Sequence, residues 1–210
     1  MNSGIVAIGG HRMVQATTER RTLQTARDLA EATADWLYRQ TLASEGPFAV
    51  CLSGGSTPRR LHEALATHGC GSGFPRSRSH WFRGNERLVA HDHSDRNFIA
   101  HEAIQCRVPI PRDNIHPFPT GGPSPTEAAA TCEASLKHFC GSATLFVEHP
   151  LFGMTLLGIG ENGLTPPLIS NEPLKERSRW VSNVRSPTDD ARISLTYVPR
   201  QGGREVSNGQ

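Results

Sequence analysis

The chain has 210 residues, 36% hydrophobic and 20% charged, with a formal net charge of +2. That size and balance suit one globular domain with a buried core, and the absence of a basic run gives a nucleic-acid partner no support. No apolar segment approaches the roughly 20 residues of a membrane span, and the N-terminus lacks a secretory apolar region, so no membrane association is expected. The five cysteines, at 51, 70, 106, 132 and 140, form no CxxC pair and no zinc spacing. A reduced, cytoplasmic setting is therefore expected, with Cys51 and Cys132 as small core residues.

In chain order, residues 1–12 read as a loose tail. Residues 17–42 carry Leu23, Ala26, Leu29, Ala30, Thr33, Trp36 and Leu37 at helical spacing, and Ser44-Glu45-Gly46-Pro47 ends that helix. Phe48-Ala49-Val50-Cys51-Leu52 is a short apolar run that suits a buried strand. Ser53-Gly54-Gly55-Ser56-Thr57 follows as a small polar turn, and Pro58 opens a helix burying Leu61, Ala64 and Leu65. Glycines that admit close backbone approach, placed before a helix N-terminus, suit an anion such as phosphate. The ordinary alternative is a well-capped strand-to-helix turn, since the loop lacks a P-loop lysine and is not GxGxxG. Residues 68–79 read as a surface loop.

His80-Trp81-Phe82 is a second short strand, running into Arg83-Gly84-Asn85-Glu86-Arg87-Leu88-Val89. Charged residues there belong either to a site at a parallel-strand end or to a solvated loop. His91-Asp92-His93-Ser94-Asp95 lacks a third histidine at helical spacing and reads as a helix start rather than a metal site. That helix would run to Cys106. A short extended piece is expected at Asn114–Phe118. Ser124-Pro125-Thr126-Glu127 has the form of a capping box with proline at the first helical position. Its helix would run to about Phe139. Thr144–Val147 and Met154–Leu157 read as strands, and Gly158–Thr165 as a second glycine turn. Trp180–Val184 and Arg192–Val198 are further strands, and Gln201–Gln210 carries no strand or helix signal. Strands alternating with helices predict an α/β fold, a mostly parallel open sheet of Rossmann-like form flanked by helices. Both glycine turns would then lie at its carboxyl edge.

Three stretches resemble the 6-phosphogluconolactonase family, a branch of the group that includes the glucosamine-6-phosphate deaminases. They are Leu52–Pro58 (LSGGSTP), Trp81–Asn97 (WFRGNERLVAHDHSDRN) and Leu156–Leu168 (LLGIGENGLTPPL), with Arg192–Thr196 (RISLT) as a weaker fourth. The resemblance covers residues 13–206 in the family's order, one domain that is short at its C-terminus, with 207–210 as a tail. It implies hydrolysis of 6-phosphoglucono-1,5-lactone to 6-phosphogluconate, in the pentose phosphate pathway, with no metal or organic cofactor. It also implies a small sugar phosphate as partner, and it leaves a homo-oligomer open.

Carried over residue by residue, the resemblance puts the 6-phosphate on Gly54, Gly55, Ser56 and Thr57. Arg87 and Arg192 become charge-assisted anion partners. Asn85 and Glu86 belong to the second motif, and Gly160 and Gly163 to the third. The family's general-base histidine falls on Leu164. Asn162 stands where the family has an acid, Asn85 where it has another, Pro166-Pro167 where it has small residues, and Gly153 where an aspartate opens the third strand. Leucine accepts no proton. Glu161 is a weak substitute with an ordinary pKa near 4.3, and His91, His93, His101 and His149 are further candidates. Impaired hydrolysis is expected on these grounds. The alternative is a catalytically inactive sugar-phosphate-binding or regulatory homologue, and a deaminase relative is disfavoured by the same missing groups. The family's final strand and lysine-bearing helix have no counterpart, so the sheet is expected to lack an edge strand.

Overall fold

The computed structural model describes residues 21–52, 60–61, 63–65, 67, 73–89, 93, 110–120, 122, 124–145, 150–158, 175–185, 191–198 and 204–208. Its elements in order are helix α1 (Ala26–Ala43) and strands β1 (Phe48–Leu52), β2 (Ser79–Arg83), β3 (Asn85–Arg87) and β4 (Ile115–His116). Helix α2 (Pro125–Cys140) follows, then strands β5 (Met154–Gly158), β6 (Val181–Arg185), β7 (Ala191–Leu195) and β8 (Arg204–Asn208). Single-turn 3-10 helices precede β2 (Arg76–Arg78) and β4 (Arg112–Asn114). The described residues between 60 and 67 are helical.

Five strands form a parallel sheet in the order β4-β2-β1-β5-β8. The chain leaves β1 for β2 on one side and later reaches β5 on the other, so β1 and β5 flank a topological switch point. In open α/β sheets that crevice, at the carboxyl ends of the strands, is where ligands bind. The remaining strands form an antiparallel sheet in the order β3-β7-β6.

Period-2 alternation of β1 divides the core. Phe48, Val50 and Leu52 pack with Ala30, Ala34 and Leu37 of α1, with Leu61, Ala64 and Leu65, and with Trp81, Met154 and Leu156. Ala49 and Cys51 face the other way, with Phe82, Ala128, Ala129 and Leu136 of α2, and Trp180, Val181, Ile193 and Leu195 of the small sheet. Every residue of β1 is buried, as its uninterrupted apolar run requires of a central parallel strand.

The helix expected from residue 17 begins at Ala26. Thr25 and Asp28 form a capping box, each donating its backbone amide to the other's side-chain oxygen at 3.1 Å, and Leu23 lies before the helix, 40% exposed. The second capping box holds as read: Ser124 Oγ accepts from Glu127 N, and Pro125 is the first helical residue. Residues 73–79 are not a plain surface loop. Phe74 is buried and stacked 6.0 Å from Tyr38, and Ser79 begins β2 fully buried. Thr144 and Leu145 are not strand, and 146–149, like the expected helix 94–106, fall outside the described residues. The strand read over Arg192–Val198 is Ala191–Leu195.

A larger correction concerns Gln201–Gln210. Strand β8 lies within it and pairs in parallel with all five residues of β5, from Met154↔Arg204 to Gly158↔Asn208. The far side of β5 is therefore covered, contrary to the expected missing edge strand. Polar composition hid this strand, because edge pairing rests on backbone hydrogen bonds that carry no compositional signal.

Gly153 has a steric explanation. A Cβ there would overlap the Phe48 ring, which closes over this position from the start of β1. Gly153→Ala should cost about 1–3 kcal/mol, the usual range for overpacking, read as a lower urea midpoint. An unchanged midpoint would show that the ring yields freely.

On the α2 side, His80 Nδ1 and His116 Nε2 lie 3.1 Å apart, and Phe82 stacks on the His116 ring at 4.1 Å. Phe139 of α2 closes over both imidazoles. Burial, and then the charge of His80, pushes the His116 pKa down to about 4, and burial lowers His80 as well. The unfolded chain thus takes up a proton near pH 6.5 that the folded chain refuses until about pH 4. Stability present above pH 6.5 is lost as pH falls through that window. Urea midpoints at pH 7.5, 5.5 and 4.5 should fall more steeply for the wild type than for His116→Phe. Parallel slopes would contradict the assignment.

Candidate functional site

The carboxyl edge at the switch point is built first by backbone. β1 and β5 are parallel neighbours, in the register Val50↔Met154 and Cys51↔Thr155. Leu52 and Gly158, the last residues of the two strands, thus end at the same edge. The segments that follow them in sequence, 53–57 and 159–165, carry Gly54, Gly55, Ser56, Thr57, Gly160, Glu161, Asn162, Gly163 and Leu164. All of these lie outside the described residues.

Gly84 ties the second motif to that edge. Its amide donates to Leu52 O at 3.0 Å, and its carbonyl accepts from Leu195 N at 2.9 Å. The chain passes from the parallel sheet into β3 at this residue, and β3 pairs antiparallel with β7 as Asn85↔Ser194, Glu86↔Ile193 and Arg87↔Arg192. The WFRGNER segment and the weaker RISLT motif are therefore one structural unit, joined through Gly84 to the end of β1.

Directly opposed residues of an antiparallel pair share a face, so Arg87 and Arg192 stand side by side and half-buried. Glu86 alternates to the other face with Ile193 and is 1% exposed. Its Oε1 accepts from Arg87 N at 3.0 Å, and its Oε2 lies 4.0 Å from Nε of Arg83, an ion pair with both side chains buried. Asn85 is also buried. The solvated-loop alternative for this segment is thus overturned: Arg83, Asn85 and Glu86 are interior, and Arg87, Leu88 and Val89 are half-buried.

Sequence reasoning missed Arg83 as a partner of Glu86. The available signal was a cation on the last residue of a parallel strand, three positions before a carboxylate. Among the histidines weighed as substitute bases, His93 is exposed, and His91, His101 and His149 lie outside the described residues. Among the described residues no three His, Cys, Asp or Glu side chains gather as a metal group, and no helix is long and apolar enough to cross a membrane.

A parallel sheet with its switch point between two strands defines an α/β protein of open-sheet type, the layout in which ligands generally bind at the carboxyl edge. The family model described as glucosamine-6-phosphate isomerases/6-phosphogluconolactonase matches residues 20–206. The 6-phosphogluconolactonase of Synechocystis sp. is 40% identical over 172 residues, 80% of this chain and 68% of that protein. That of Nostoc sp. is 38% identical over 158 residues, 74% of this chain and 63% of that protein. This chain therefore spans about two thirds of those relatives' length. The solved 6-phosphogluconolactonase of Trypanosoma cruzi superposes with a TM-score of 0.74 at 23% identity, covering 89% of this chain and 78% of that one. A monomeric glucosamine-6-phosphate deaminase shares the fold too, with a TM-score of 0.69 at 14% identity over 88% of this chain and 79% of that one. The chain belongs to the glucosamine-6-phosphate isomerase/6-phosphogluconolactonase family.

Proposed function

We propose that this chain acts on 6-phosphoglucono-1,5-lactone, binding the sugar phosphate at the carboxyl edge of β1 and β5, with impaired turnover. One observation carries the reading. The strands that lead into the two glycine segments are parallel neighbours, and the Arg87–Arg192 pair is tied to the same edge through Gly84. Guanidinium groups make charge-assisted, bidentate contacts to phosphate and carboxylate oxygens, so two arginines on one face beside that edge suit a site whose occupant is an anion. In this reading Gly54, Gly55, Ser56 and Thr57 present amides and hydroxyls to the 6-phosphate. Arg87 and Arg192 bind phosphate or sugar-acid oxygens, and Asn85 and Glu86 shape the site from β3.

Hydrolysis forms a bond from water oxygen to the lactone carbonyl carbon and breaks the bond from that carbon to the ring oxygen. The attacking water must lose a proton, and the departing ring oxygen must take one up to leave as a hydroxyl. Leu164, at the position of the family's base, cannot take the proton from water. Asn162 orients water at most, and Glu161 would need a carboxyl pKa raised by burial. Positioning alone still accelerates a labile lactone, so the reading is slow hydrolysis rather than none. The altered residues Leu164, Asn162 and Pro166-Pro167 favour the second reading, a sugar-phosphate-binding homologue without chemistry. The family's soluble metabolic chemistry fits a cytoplasmic setting.

Lactone hydrolysis read through a coupled 6-phosphogluconate dehydrogenase separates the two. The proposal expects a protein-dependent rate above spontaneous opening, inhibited by 6-phosphogluconate. A rate equal to the background leaves binding alone.

A further inference from the structure

The last residue of β2 is a buried cation. Arg83 is 2% exposed and stands in register with Leu52, the residue that leads into the 53–57 segment. Its Nε lies 4.0 Å from Glu86 Oε2, with both side chains buried. A buried ion pair adds little net stability over a well-packed apolar pair, so stability alone does not account for it. The strand ladder shows what the pair holds. Leu195 N donates to Gly84 O and Leu88 N to Ala191 O, both at 2.9 Å. Bonds between antiparallel strands fall on alternate residues. Glu86 and Leu88 therefore turn their amides and carbonyls toward β7, whereas Arg87 turns its amide away. That amide donates to Glu86 Oε1 at 3.0 Å. One carboxylate thus joins the guanidinium at the end of β2 to the backbone of Arg87. The same alternation makes Arg87↔Arg192 a non-hydrogen-bonded pair, the closer kind, with Cα atoms about 4.5 Å apart.

We propose that Arg83 is a positioning residue for the anion site, acting through the Glu86 carboxylate on Arg87. This rests on the sugar-phosphate reading of that site. Arg83 holds Glu86 by charge, and Glu86 holds the Arg87 amide. The β3 backbone so fixed sends the Arg87 side chain to the face it shares with Arg192. A guanidinium in bidentate contact with an anion tolerates little misplacement. Releasing the Arg83–Glu86 link therefore weakens the phosphate contact without removing any group that touches the ligand.

The test is calorimetric, with the full chain titrated with 6-phosphogluconate and with gluconate. Arg83→Met with Glu86→Leu removes the carboxylate link and replaces both ions by apolar side chains of similar volume. Its preference for the phosphorylated acid should fall about tenfold, the scale of one lost charge-assisted contact, although its thermal midpoint recovers toward the wild type. The Arg83–Glu86 contact runs through one nitrogen, so Arg83→Lys supplies its charge and should keep the preference within about threefold. In an Arg87→Met background the double substitution should lower the preference no further, because the effect passes through Arg87. A folded double variant with the wild-type preference, or a full further loss on top of Arg87→Met, would overturn the role of Arg83. So would Arg83→Lys losing the preference as fully as Arg87→Met, a readout that stands even if the double variant folds poorly. A wild type that binds both acids equally would remove the sugar-phosphate reading itself, and the positioning role with it.

Discussion

Leu164→His should raise lactone hydrolysis by about 10²-fold over the wild type, the low end of the usual contribution of general-base catalysis. On the proposed reading, an imidazole at this position supplies a proton acceptor that leucine cannot, and it is largely neutral at physiological pH. The low end is expected because Asn162 still replaces the family's acid and Pro166-Pro167 still removes two backbone donors beside the turn. The gain should appear in kcat rather than KM, since substrate binding rests on other residues. The pH profile should acquire a limb near pH 6.5, rising toward neutral pH as the imidazole loses its proton. An unchanged rate in a folded variant would mean that position 164 does not face the lactone carbonyl, and the assignment of impaired turnover would fall with it.

Glu86→Ala should destabilise the fold by about 3–5 kcal/mol, the range for breaking a buried ion pair from one side. Both side chains of the Arg83–Glu86 pair are 1% exposed, so the guanidinium loses its carboxylate where water cannot replace it. The same change deletes the acceptor of the Arg87 amide, 3.0 Å from Oε1. A chain of this size shifts its thermal midpoint by roughly 2–4 °C per kcal/mol, so a fall of about 10 °C is expected. Replacing both partners, Arg83→Met with Glu86→Leu, should recover much of that loss, because an apolar pair of similar volume avoids the desolvation of two ions. A fall below 2 °C for Glu86→Ala would show that the pair contributes little.

The parallel sheet was legible because central strands announce themselves. Phe48–Leu52 is an unbroken apolar run, and its boundaries matched the strand. The helix start at Ser124-Pro125 was legible too, since capping chemistry is local. The start of α1 was misplaced because its box closes with Asp28 rather than the usual Glu or Gln, and the apolar stripe continues outward to Leu23. The three-stranded antiparallel sheet was not foreseen as a unit. β3 is three residues of charge and amide, Asn-Glu-Arg, and only its pairing with β7 makes it a strand. For the same reason a solvated loop stayed open as one of two readings for Arg83 and Glu86, although long-range packing buries them. β8 was invisible because nothing in Arg-Glu-Val-Ser-Asn favours a strand over a loop until β5 supplies a neighbour. The family was legible because Leu52–Pro58, Trp81–Asn97 and Leu156–Leu168 stand together in its order, and the family model matches residues 20–206.

Calorimetric titration of the purified chain with 6-phosphogluconate, set against gluconate, tests the anion cradle most directly. The account predicts binding of the phosphorylated acid at least tenfold tighter than gluconate, with the difference reduced in Arg87→Met and in Arg192→Met. Equal affinity for the two acids in the wild type would contradict it.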